Sequence, residues 1–414
     1  MTAFLDRRTA GLLAESSAVQ ALGTMAVLTI PAIAPEVAAA LGVAPSLVGG
    51  QISLVYLAAA LSSLGAGSLV GALGPWRTGQ VAMLLAAAGT LLASLPHLAA
   101  LALGSIAIGA GYGLLNPASS DLLARHSPPG RRNLVFAIKQ TGVPLGGVGA
   151  GLIAPPLALA AGWAAPLWLV AGAAVLLAAA SQPARAGWDA DRPRAVRPGG
   201  QSGGRTGWRL LDGFRLLAGS RALPWLAGAS FCFSAVQLSV VAFLVVVLVE
   251  EAGLGLVAAG SVLAAAQVAG AVGRIAWGAV ADRLRDGMLV LLGVALLMTA
   301  GAVAVTGLSA AWPVWLIAGA FMLLGATAVG WNGVYLSELA RLSPAHAVGA
   351  VTGSAMCVTF AGVVMGPAAF SALHDWVGGY GRSYWLLAAL ALAGGGLIAA
   401  ARRAAGLAKD PDVR

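Results

Sequence analysis

The chain runs to 414 residues, of which 59% are hydrophobic and only 9% charged. Ordinary soluble domains are about 25% charged, so this sequence cannot coat a water-soluble globule of its own size, and lipid must supply the missing solvent. The formal net charge of +9 is spread over short connecting loops, which argues against a nucleic-acid-binding face; Cys232 and Cys357 lie in apolar runs, so neither a disulfide framework nor a metal site is expected.

A membrane span needs about 20 largely apolar residues, with every backbone amide bonded within its own helix. The first predicted span covers residues 18–40; it follows a basic start but exceeds a signal-peptide core. Eleven more follow at 48–72, 78–96, 98–123, 134–158, 163–181, 224–249, 256–280, 288–308, 313–338, 347–372 and 381–401. No Asp or Glu falls near the middle of any of them, and Glu36, near the outer end of the first, is the one loose candidate for a proton site. Only one connection is long and polar, the Pro-, Gly- and Arg-rich stretch 182–221, which reads as a linker. The organisation expected is an N-terminal six-helix half (1–181), a cytoplasmic linker (182–221) and a C-terminal six-helix half (222–414).

With both termini cytoplasmic, 22 of the 24 Lys and Arg fall on the inner side or at its edge, as the positive-inside rule requires of an inner-membrane protein. The halves also share a pattern. Asn116…Ala124-Arg125-His126-Ser127-Pro128 recurs 216 residues later as Asn332…Ala340-Arg341-Leu342-Ser343-Pro344. Such a repeat places a solute site near the midplane between the halves, with alternating access by rocking.

The loop after the eighth span reads Gly278-Ala-Val-Ala-Asp282-Arg283-Leu284-Arg285. Together with the six-plus-six layout and the central linker, it resembles the major facilitator superfamily, whose loop motif is Gly-x-x-x-Asp-Arg-x-Gly-Arg-Arg. The counterpart after the second span, Gly67…Gly71…Arg77, keeps the glycine and has lost the acid and the first arginine. The resemblance implies an all-α fold of twelve transmembrane helices in two six-helix halves related by a pseudo-two-fold axis. It also implies secondary transport, with a gating motif at Gly278, Asp282 and Arg283. Asp121 with Arg125, and Glu338 with Arg341, sit at helix ends as candidate salt-bridge latches.

Arg274 lies eight residues before Asp282, about 12 Å along a helix, and so near the middle of the hydrocarbon layer. A charge there faces a cavity or a partner. It reads as a receptor for a carboxylate, or alternatively as a gating or packing arginine. An arginine at this spacing is similar to the substrate arginine of monocarboxylate and oxalate/formate transporters, although Gly270 stands where the monocarboxylate pattern has an aspartate. Lys139 is either a second anion contact or, the favoured reading, a stem snorkelling to the cytoplasmic surface. Gln140, Asn116, Asn332, Gln237, Gln267, Tyr56 and Tyr335 supply uncharged hydrogen-bonding groups for a cavity or for interhelical bonds.

The function expected is transport of a small organic anion, with proton-coupled efflux of amphiphilic or cationic compounds as the alternative. The expected partners are a small-molecule solute, the lipid bilayer, and protons or a counter-anion for coupling. The carrier is expected to act as a monomer, without cofactor, metal or nucleic acid, and no nucleophile–base pair points to an enzyme.

Overall fold

The computed structural model describes residues 7–126, 135, 138–190, 214–344 and 348–407. They form helices throughout. The long helices are α1 (Arg7–Ala32), α2 (Val48–Leu73), α3 (Pro75–Ala93), α4 (Leu98–His126), α5 (Gly142–Ala161) and α6 (Ala165–Ala180). After the linker come α7 (Leu223–Glu250), α8 (Leu256–Leu284), α9 (Gly287–Thr306), α10a (Val314–Leu324), α10b (Asn332–Leu342), α11 (Val348–Val377) and α12 (Tyr380–Leu407). Counting α10a and α10b as one, eleven of these helices are long and apolar enough to cross a membrane. The exception is α3, whose first two turns carry Arg77, Thr78 and Gln80.

The chain divides into two compact units. One takes α1–α6 together with Gly255–Ala264 at the start of α8; the other takes α7, the rest of α8 from Ala265, and α9–α12. Within the first, α1, α2, α3, α4 and α6 meet around Ala66, Ala82, Met83, Leu114, Leu115 and Ala174. Helices approach closely where glycine removes the side chain. A Cβ at Gly89 would stand 2.7 Å from the Gly104 carbonyl oxygen, and one at Gly111 2.6 Å from that of Ala82. In the second unit, α7 is apolar on all faces and buried along nearly its whole length, as a central helix must be. Phe370 on α11 packs against both Phe243 on α7 and Tyr384 on α12.

Three local features depart from the sequence expectation. The first span starts at Arg7 and breaks after Ala32, and a separate short helix Ala34–Leu41 carries a proline at its start. Pro31 and Pro35 stand four apart, so the amide that would bond the Pro31 carbonyl is missing. The early start puts Glu15 inside α1, within a candidate span where the sequence reading had no acid.

The linker begins as packed structure: Gln182–Ala184 and Arg185–Trp188 are short helical turns. Asp189 then accepts hydrogen bonds from the Trp76 (2.9 Å) and Arg77 (3.2 Å) amides at the N-terminus of α3. Trp188 stacks on Trp76 at 5.8 Å, receives the His126 ring edge at 4.9 Å and lies under the Arg8 guanidinium at 4.6 Å. The acid lost from the loop after α2 is thus replaced by Asp189, which satisfies orphan amides and the helix dipole. The linker residues 191–213 lie outside the described residues.

The tenth span carries a π bulge. Between α10a and α10b the chain makes a π-helical turn over Gly325–Val329, and Gly330 and Trp331 keep right-handed helical backbone angles. A π turn shifts the i→i+4 ladder and frees carbonyls for outside donors.

Candidate functional site

The first unit holds a buried cation. Lys139 stands one turn before Gly142, where α5 runs against α1 so closely that a Cβ at Gly142 would meet the Ser17 carbonyl oxygen at 2.6 Å and the Gln20 Cβ at 2.9 Å. That contact brings Gln20 within reach. Lys139 is 2% exposed, and its Nζ donates to Gln20 Oε1 at 2.9 Å and to Asn116 Oδ1 on α4. The snorkelling expected of Lys139 is therefore corrected: two side-chain amides fix the ammonium inside the unit.

Both acceptors are neutral, and among the described residues no carboxylate lies within salt-bridge distance of Nζ. Burying an ammonium costs several kcal/mol after relaxation, and each charge-assisted hydrogen bond returns about 1.5–3 kcal/mol. The cluster carries further unused polarity. Gln20 Nε2 and Ser17 Oγ, one turn apart on α1, are buried without a hydrogen-bond partner among the described residues. Asn116 is exposed and leaves one side of the cluster open, and Gln140 is exposed as well.

Tyr56 and Tyr112 meet edge to face at 5.8 Å. Glu15, half-buried, lines a cavity of about 40 Å³ with Gln80 and Ser181, room for one or two waters. The side chains of Asp121 and Arg125 lie outside the described residues, as do the latch contacts expected of them.

In the second unit, Gln237 on α7 accepts from Trp331 Nε1 at 3.1 Å and from Asn332 Nδ2 at 3.2 Å, which ties α7 to the tenth span just after its π turn. Tyr335 packs edge-on against Trp331 at 5.2 Å, and its buried hydroxyl has no hydrogen-bond partner among the described residues. Gln267 is buried on α8.

Arg274 donates from Nε to the Val329 carbonyl at 3.0 Å, and Trp277 from Nε1 to the Ala326 carbonyl at 2.8 Å. Two donors of α8 therefore cap carbonyls of the π turn. Gly273 permits it, since a Cβ there would stand 2.9 Å from the Ala326 Cα. Arg274, expected as an anion receptor or a packing arginine, thus has one guanidinium nitrogen committed to backbone.

At the end of α8, Gly278 is half-buried and Asp282 and Arg283 are exposed. Glu338, 7% exposed, pairs with Arg341 Nε at 3.0 Å and packs over Gly287 at the start of α9, where a Cβ would lie 2.9 Å from the Glu338 Cγ. This expected pair forms within one helix, three residues apart.

Sequence reasoning passed over Gln20, Ser17, Glu15, Trp277, Trp188 and Asp189. Gln20 had a signal: it is among the few polar residues of the first apolar run, 18–40, and Ser17 stands just before it. Asp189 and Trp188 had none, because a Pro-, Gly- and Arg-rich stretch does not announce which of its residues dock.

Long apolar helices with small-residue crossings define a multi-pass helical membrane protein. Residues 16–367 match the family model of the Major Facilitator Superfamily, and the chain belongs to that family, a transporter rather than an enzyme. Curated proteins give no match. Among solved structures, the chain is similar to a POT family transporter in complex with 5-aminolevulinic acid, at TM-score 0.75 and 13% identity over 95% of each chain. It is also similar to a peptide transporter POT in complex with sulfate (TM-score 0.70, 16% identity, 96% of this chain and 94% of that one). A bacterial homolog of the human lysosomal transporter Spinster, inward-facing and unoccupied, gives TM-score 0.69 at 14% identity over 97% of this chain and 96% of that one. At these identities the likeness is one of fold.

Proposed function

We propose that this transporter carries a small organic anion, a mono- or dicarboxylate, by alternating access across the inner membrane, with both chain termini cytoplasmic. The observation that carries the reading is Lys139, a buried ammonium held by two neutral amides, Gln20 and Asn116. A carboxylate reaching it from the exposed Asn116 side supplies the missing counter-charge and forms a charge-assisted hydrogen bond in a low-dielectric site. Gln20 Nε2 and Ser17 Oγ are further groups for carboxylate oxygens once the cluster opens. Arg274 is the second cation of this reading, and Gln140, Tyr56, Gln237, Gln267, Asn332 and Tyr335 are its neutral contacts. Gly278, Asp282, Arg283 and the pairs Glu338–Arg341 and Asp121–Arg125 serve gating.

One observation favours the second reading, proton-coupled efflux of amphiphilic or cationic compounds: the half-buried Glu15 carboxyl inside α1. Uptake of labelled carboxylates and export of a cationic dye, measured side by side in proteoliposomes, separate the two. Carboxylate uptake lost in Lys139→Met and Arg274→Ala, with Glu15→Gln active, supports the anion carrier. Dye export that needs Glu15 and ignores Lys139 overturns it.

A further inference from the structure

We propose that the second unit carries, at the end of the bundle where α8, α10b and α12 finish and α9 begins, a binding site for a phosphate-bearing anion, supplied by an acidic phospholipid headgroup or by free phosphate. A groove of about 630 Å³ is lined there by Arg285, Arg341, Arg402 and Arg403 against two acids, Asp286 and Glu338. The acids are already engaged. Asp286 Oδ2 accepts from Arg402 Nη2 at 2.8 Å and Nε at 3.1 Å, while its Oδ1 caps α9 through the Leu289 amide at 3.0 Å. Glu338 is taken by Arg341.

Among the described residues, Arg285 and Arg403 have no carboxylate within salt-bridge distance, and both are exposed. The groove therefore keeps two guanidiniums, whose planar forks match the oxygens of a phosphate. Basic pockets at the Arg-rich edge of a helical bundle are suited to acidic headgroups.

Backbone geometry adds an independent observation. Arg285 has φ of +52°, the one non-glycine residue with a left-handed backbone among those described. It stands where the loop motif has its second glycine, the residue that adopts this conformation without steric cost. Here a guanidinium stands on that left-handed backbone and lines the groove. Retaining a bulky cation in a left-handed position points to a use for the side chain.

The test is binding of phosphatidylglycerol, phosphatidylcholine and inorganic phosphate to the delipidated full-length protein, followed by native mass spectrometry and thermal shift. Each surface arginine contributes about 1 kcal/mol toward acidic lipid. Arg285→Gln/Arg403→Gln should therefore weaken phosphatidylglycerol binding about 30-fold, and Arg403→Gln alone about fivefold. Phosphatidylcholine should bind wild type and variants alike. If inorganic phosphate stabilises the wild type but not the double variant and displaces phosphatidylglycerol, the occupant is a soluble phosphate; if it does neither, the occupant is lipid. Equal phosphatidylglycerol and phosphate binding by the wild type and both variants overturns the proposal. The single variant lies on the exposed last turns of α12 and keeps the test valid should the double variant fold poorly.

Discussion

Lys139→Met separates a charge kept for transport from a charge kept for folding. Methionine retains most of the stem and removes the ammonium, with its bonds to Gln20 Oε1 and Asn116 Oδ1. On the stability side two terms oppose. The variant no longer buries an ammonium, a relief of several kcal/mol, while the buried Gln20 carbonyl loses its donor at a cost of about 1–3 kcal/mol. The melting temperature is therefore expected to stay level or rise. On the transport side, a carboxylate loses one charge-assisted hydrogen bond of about 1.5–3 kcal/mol, so KM should rise roughly 10- to 150-fold.

Counterflow of labelled carboxylates in proteoliposomes reads the second effect, and tryptophan fluorescence on heating reads the first. Asn116→Asp is the complement, since it gives Lys139 an internal counter-ion and should block anion binding while leaving the protein folded. A sharp fall in melting temperature for Lys139→Met, with transport lost only in proportion to folded protein, would show that the lysine is structural and refute the reasoning. Unchanged KM in both variants would do the same.

Asp189→Ala removes the acceptor shared by the Trp76 and Arg77 amides and should cost about 1–2 kcal/mol, read as a lower melting temperature. Gly74→Ala should cost at least as much, because Gly74 has φ of +95° and a Cβ there would meet the Asp189 Cγ at 2.5 Å; the double variant should be less than additive. Trp277→Phe leaves the Ala326 carbonyl without its donor and should lower stability by about 1–3 kcal/mol with KM unchanged. Burial pushes the Asp286 carboxyl up, but the Leu289 amide and the Arg402 guanidinium outweigh it and hold it below the ordinary aspartate value of 3.8. The stability this gives is present above that value and lost as pH falls through the lower folded value, so the melting temperature of the wild type should fall more on acidification than that of Arg402→Gln. The pair is about half exposed, which keeps the effect small.

The spans were legible because each must satisfy its own backbone in lipid, and that demand writes long apolar runs into the chain. Helix breaks were less so. The proline pair Pro31/Pro35 is visible in sequence, yet a run of apolar residues continues past it, so the first span reads as one piece. The π turn at Gly325–Val329 carries no breaker besides glycine, which is abundant everywhere in this chain; its cause lies on α8, in Gly273, Arg274 and Trp277. Charged residues were found by type but not by fate. Distance along a helix put Lys139 within snorkelling range of the surface, and only the α1–α5 approach at Gly142 decides that it turns inward.

The repeat sharpens where selectivity should lie. Asn116 and Asn332 occupy equivalent places in the repeated pattern, and each bonds a side chain within its own unit, but in opposite senses. Asn116 accepts from an ammonium, whereas Asn332 donates to the Gln237 amide. The first unit therefore builds a positive cluster at this position and the second a neutral one. Arg274, the charge that drew attention to the second unit, spends its Nε on the Val329 carbonyl. If the carried solute is an anion, substitutions around Asn116 and Lys139 should shift which carboxylates are transported, while those around Asn332 and Gln237 should alter turnover through the π-bulged helix. A panel of carboxylates of different lengths, assayed against Asn116→Ser and Asn332→Ser, decides this. Altered substrate preference in the Asn332 variant alone would return selectivity to the second unit.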